Sequence, residues 1–114
     1  PSTLSHCRRW IAAAATPGSR VGIDVESRLP RRLDAVVERL GWQSLDPSRY
    51  LQAWTLWEAW RKIEGGSVLD EPDDRYAQLI ARAWEIEQHA LCLEGVLFRS
   101  LPLDGAWVSL SVRP

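Results

Sequence analysis

The chain has 114 residues, 46% of them hydrophobic, with 14 Lys and Arg against 15 Asp and Glu. That suits one globular domain over residues 1–114, with a real core. A net charge of −1 without a recognised nucleic-acid motif argues against a nucleic-acid partner, and no apolar run reaches the ~18 residues of a membrane span.

In chain order, residues 8–16 form an alanine-rich stretch of strand length, closed by a turn at Pro17-Gly18. Residues 20–26 read as the return strand of a hairpin. Pro30 suits the first turn of a helix, Leu33, Val36, Val37 and Leu40 follow at helical spacing, and Gly41 is a natural stop. Asp46-Pro47 resembles an N-cap and first position of a second helix reaching Glu64 and ended by Gly65-Gly66. The acidic stretch 68–74, with Pro72, reads as a loop, and residues 76–81 as a short helix. Strands are expected at 83–91, 96–101 and 107–112, the last two joined by a turn at Leu103-Asp104-Gly105. The sum is an α+β domain, an antiparallel sheet with two main helices.

Two motifs carry chemistry. In Val21-Gly22-Ile23-Asp24-Val25-Glu26 the acids stand at i and i+2, on one face of a strand. In Trp54-Thr55-Leu56-Trp57-Glu58-Ala59-Trp60-Arg61-Lys62, Glu58 and Lys62 stand at i and i+4, on one face of a helix. A helical wheel puts Ala53, Leu56, Trp60 and Ile63 on the core stripe and Thr55, Glu58 and Lys62 away from it. Taken singly, each motif is ordinary surface charge. Jointly, three carboxylates and an ammonium suit a hard divalent cation and a phosphate. Lys62 is the only lysine among fourteen basic residues, and a compact ammonium is a common phosphate partner. Residues 1–62, which hold both motifs, carry ten basic and six acidic side chains, against four and nine in the remainder. An anionic ligand is drawn to that half. Cys7 and Cys92 have neither a disulfide framework nor zinc spacing and read as reduced thiols. Ile11–Ala15 is too short for the apolar core of a signal peptide, so a cytoplasmic location is expected.

Together, Asp24 and Glu26 in the strand and Trp54-Thr55, Glu58, Ala59 and Lys62 in the helix resemble the two signature motifs of the 4′-phosphopantetheinyl transferases. Ser5-His6 is similar to the Ser-His element of the two-lobed subfamily. Val96-Leu97-Phe98 and Trp107-Val108-Ser109-Leu110 resemble its last strands. The likeness runs from Leu4 to Val112, over the metal-bearing, C-terminal half of those enzymes. It implies Mg²⁺-dependent transfer of phosphopantetheine from coenzyme A to a serine of an acyl or peptidyl carrier protein. It further implies that Asp24, Glu26 and Glu58 hold Mg²⁺, that Glu58 accepts the serine proton, that Lys62 neutralises phosphate charge, and that Ser5 and His6 contact the nucleotide end.

There are two departures. The family's usual lysine before the helix glutamate is Trp57 here, with Arg61 the nearest replacement one turn on. The second departure is length: the likeness covers one of the two lobes, which implies either that the other half has been removed or that the chain pairs with itself or another subunit, along the strand edge near Ser5 to Ile11. The competing reading is a non-catalytic relative that binds coenzyme A or a carrier protein. A metal-dependent nuclease is disfavoured because its acid and lysine usually stand two residues apart on a strand.

Overall fold

The computed structural model describes residues 2–7, 10–15, 17–39, 41, 47–65 and 74–114, with 2, 11, 13, 15, 32 and 36 described by backbone alone. The elements are β1 (Ser2–Cys7), β2 (Trp10–Ala15), β3 (Arg20–Glu26), α1 (Arg32–Arg39), a 3₁₀ turn (Pro47–Arg49), α2 (Tyr50–Glu64), α3 (Asp74–Gln88), β4 (Leu91–Leu93), β5 (Val96–Leu103) and β6 (Ala106–Arg113). The fold is α+β, as the sequence predicts. An antiparallel sheet of order β3-β6-β5-β4 carries two long helices, and β1 and β2 form a separate two-stranded sheet. Among the described residues, no helix is long and apolar enough to cross a membrane.

Three expectations are corrected. The strand at 20–26 forms with the predicted bounds, but its ladder partner is β6, with Asp24 opposite Ser109, while β2 pairs with β1. The Pro17-Gly18 turn therefore links two sheets instead of closing a hairpin. Residues 83–91 are not a strand: most of them lie in α3, which begins at Asp74 and absorbs the predicted short helix. The buried side chains Tyr76, Leu79, Ile80, Ala83 and Ile86 repeat at helical spacing across that whole stretch, so a single apolar face governs all of it. The third correction is at 47–49, where α2 is preceded by a 3₁₀ turn. The expected cap Asp46 and the loop at 68–73 lie outside the described residues. Gly65 ends α2 as predicted, in the left-handed region at φ 69°, its N–H donating to the Arg61 carbonyl.

α2 is the centre of the molecule and is buried on almost every side. Its predicted core stripe, Ala53, Leu56, Trp60 and Ile63, is buried. Toward α3 and β5 it packs aromatically. Tyr76 meets Trp54 and Trp57 edge-on at 6.1 and 6.5 Å, and Trp60 meets Phe98 at 5.1 Å. Toward β3 and β6 the surface is small and polar. Ser111 Oγ donates to the Ala59 carbonyl at 2.8 Å, and the Thr55 and Ser109 hydroxyls share a hydrogen bond of 2.6 Å. Gly22 lies directly beneath Ala59, whose carbonyl oxygen a Cβ would overlap. The helix therefore rests close on β3, and this contact positions the functional residues.

Candidate active site

β3 alternates its side chains, and Gly22 fixes the sense: the even positions face α2. Asp24 is therefore turned toward the helix and is only 4% exposed. Lys62, in the last turn of α2, reaches over the edge of β3 that β6 leaves open. Its Nζ donates to the Ile23 carbonyl at 2.6 Å and the Leu4 carbonyl at 3.3 Å, and stands 3.5 Å from Asp24 Oδ1. Ser5, buried on β1, donates its hydroxyl to Asp24 Oδ1 and accepts the Val25 N–H, both at 3.0 Å. β1 thus runs along β3 without a backbone ladder, and one ammonium and one hydroxyl span the gap. Thr55 corrects the helical-wheel expectation, since it is buried against Ser109. The side of α2 that bears charge faces the sheet.

The electrostatics follow from this crowding. Burial and the neighbouring Glu26 charge push the Asp24 carboxyl from 3.8 up to about 8, opposed by Lys62 and the Ser5 hydrogen bond and reinforced by Glu58. Glu26 is raised as well, by burial and by Glu58, while Asp24, Lys62 and His6 act in the other direction. Asp24, Glu26, Glu58 and Lys62 therefore form one interacting cluster. His6 projects from the exposed side of β1 and stabilises the ionised form of Glu26. Glu58 is half-buried, its Oε1 held by Arg61 Nη1 at 2.8 Å.

Two further positions depart from what spacing alone suggests. Trp57 points away from the cluster, 2% exposed, packed on Tyr76 and under the Arg75 guanidinium at 5.2 Å. A lysine there would enter the core instead of the site. Arg61, only 7% exposed, is the cation that meets Glu58, and its i,i+3 spacing was legible in the sequence. Ser5 was singled out for ligand contact. Its bridging of β1 to Asp24 could not be read from sequence, because β1 was not recognised as a strand.

Among the described residues, no three His, Cys, Asp or Glu side chains stand ready to hold a metal ion. The donor set nevertheless suits a hard cation. Asp24 Oδ2 is buried with no hydrogen-bond partner, and its acidic neighbours offer only acceptors when ionised. Either a proton or a cation satisfies that oxygen, and oxygen-only donors suit Mg²⁺. No family model matches the chain, and no curated protein matches it.

Proposed function

We propose that this domain transfers 4′-phosphopantetheine from coenzyme A to a serine hydroxyl of an acyl or peptidyl carrier protein, with Mg²⁺ as cofactor. The observation that carries the reading is Lys62 Nζ of α2 standing 3.5 Å from the buried Asp24 Oδ1 of β3, with Glu26 and Glu58 near enough to act on the Asp24 charge, in the motif order that resembles the phosphopantetheinyl transferases. Asp24, Glu26 and Glu58 would hold the metal, and for Glu58 this requires release from Arg61. Mg²⁺, when bound, supplies charge neutralisation at the pyrophosphate.

The remaining roles belong to the chain. Lys62 stands beside Asp24 with three donors on its ammonium, two of them engaged by backbone carbonyls. It offsets negative charge that builds on the leaving phosphate. The carrier serine Oγ forms a new bond to the phosphorus that bears pantetheine. The bond from that phosphorus to the bridging pyrophosphate oxygen breaks, and 3′,5′-adenosine bisphosphate leaves. Glu58 takes the serine proton, directly or through water. Ser5 holds Asp24 in place, and His6, on the exposed side of β1, is free to meet the nucleotide end. We propose in addition that the exposed side of β1, where Leu4 is 62% exposed, belongs to a homodimer or partner-subunit contact.

The pairing of Glu58 with Arg61 favours a second reading, in which the domain binds coenzyme A or a carrier protein without transfer. One experiment separates the two. Candidate carrier proteins are incubated with the domain, coenzyme A and Mg²⁺, and their masses are measured. A phosphopantetheine adduct that needs Glu58 and Lys62 supports transfer. Coenzyme A binding by calorimetry without any adduct supports the binding reading.

A further inference from the structure

At the other end of β3 lies a cleft of about 440 Å³ that the proposed chemistry does not use. It is lined by Arg20, Val21, Lys62, Ile63, Glu64 and Gly65. Its charge is out of balance. Among the described residues, Glu64 is the only acid in the lining, and it is already engaged: Oε1 accepts from Trp60 Nε1 at 2.7 Å and from Arg113 at 3.1 Å, while Oε2 accepts from Arg75 at 3.0 Å. Arg20 sits directly opposite Arg113 across the β3–β6 ladder. Like charges at such a pair repel unless something anionic lies between them. Arg20 Nη1 donates a long hydrogen bond of 3.3 Å to the Ile63 carbonyl, and a guanidinium carries five N–H donors in all.

The end of α2 does not neutralise this cluster. A helix C-terminus presents about half a negative charge. Arg20, Lys62, Arg75 and Arg113 bring four positive charges, and the carboxylates paired with them, Glu64 and Asp24, bring two negative ones. Among these described groups a cationic excess of more than one charge remains, over a floor made by Val21, Ile63 and the Gly65 backbone.

We propose that this cleft is a binding site for a phosphate-type anion, held mainly by the Arg20 guanidinium with Arg113 and Lys62 at its sides. A guanidinium fork matches the oxygens of a phosphate. Lys62 lies between the cleft and the carboxylate cluster, so the two sites are neighbours that share one cation. The anion is either free inorganic phosphate or the phosphate of a small phosphoester. The inference goes beyond the transferase reading and does not depend on a metal.

The test is a titration in metal-free buffer containing a chelator, followed by amide resonances in two-dimensional NMR. The probes are inorganic phosphate, adenosine 5′-monophosphate and, as the uncharged control, adenosine. Saturable shifts centred on Arg20, Val21 and residues 63–65 are expected with both phosphates, with none from adenosine. Tighter binding of the nucleotide identifies a phosphoester as the source, and equal affinity identifies free phosphate. Arg20→Gln should weaken binding at least tenfold while Arg20→Lys retains most of it. Arg113→Gln should weaken it by a smaller factor, and it provides the test if Arg20→Gln does not fold. The proposal is overturned if neither phosphate saturates these amides, if shifts centre on Asp24, Glu26 and Glu58, or if both Gln variants bind as wild type. Failure of the carrier-protein assay leaves this result unaffected.

Discussion

α2 works against two surfaces of opposite character. Toward α3 it presents Trp54, Trp57 and Trp60, which close on Tyr76, Phe98 and the Arg75 guanidinium. Trp60 Nε1 is engaged by Glu64 and the Tyr76 hydroxyl by the Tyr50 carbonyl, while Trp57 Nε1 is buried without a hydrogen-bond partner among the described residues. Toward β3 it presents Glu58 and Lys62 to a buried Asp24 whose Oδ2 has no partner and whose neighbours are further acids. The first surface gains its stability from area and ring geometry. The second keeps like charges close together, which costs stability in the absence of a counter-ion. This contrast separates the part of α2 that holds the fold from the part that can do chemistry.

The aromatic side should break hardest. Trp57→Lys, which would introduce the lysine usual at this place in the phosphopantetheinyl transferases that the motifs resemble, should not create activity. It removes a ring packed on Tyr76 and places an unpaired ammonium in the core. The expected loss is about 3–5 kcal/mol or more of unfolding free energy, read by urea denaturation. A stable Trp57→Lys protein with raised adduct formation would erase the distinction between the two surfaces.

The charged side should fail in function before stability. Lys62→Ala should lower the rate of adduct formation on the order of 10²-fold, as expected for a preorganised electrostatic group. Its folding cost should be smaller than that of Trp57→Lys, because Lys62 is partly exposed and its bonds are confined to the β1–β3 edge. Rate and urea midpoint measured on the same preparation check this.

Gly22→Ala probes where the two surfaces join. A methyl group there meets the Ala59 carbonyl and must push α2 off β3, at a cost of about 1–3 kcal/mol. Because α2 also carries Glu58 and Lys62, the variant should lose transfer activity even at temperatures where it remains folded.

A pH slope tests the charged side without any substitution. Asp24 is pushed up to about 8 when folded, from 3.8, so between these values the folded chain holds a proton that the unfolded chain has released. Its contribution to stability is therefore complete below about 3.8 and is lost as pH rises toward 8. Thermal midpoints should fall across that window, and Asp24→Asn should flatten the decline. Saturating Mg²⁺ should do the same, by replacing the proton.

Much of this contrast was legible in the sequence. The period-2 placement of Asp24 and Glu26 and the i,i+4 placement of Glu58 and Lys62 are local properties, and both elements formed where the pattern put them. Sheet pairing was not legible. Nothing in residues 8–26 reveals that β3 prefers the distant β6, whose Ser109 and Ser111 leave room for α2, over the adjacent β2. The identity of residues 83–91 was missed because their apolar spacing is ambiguous over so short a window, and it resolves only when continued back to Tyr76. Trp57 was read by its place in a motif, whereas the 100° turn from Glu58 decides which side it occupies.

The most direct test of the central claim is a calorimetric Mg²⁺ titration near pH 7 in two buffers of different ionisation enthalpy. One saturable site per chain, with proton release on binding and loss of the site in Asp24→Asn, is the predicted result. No saturable binding, or binding undiminished in both Asp24→Asn and Glu58→Gln, would contradict a carboxylate cluster built to hold a cation.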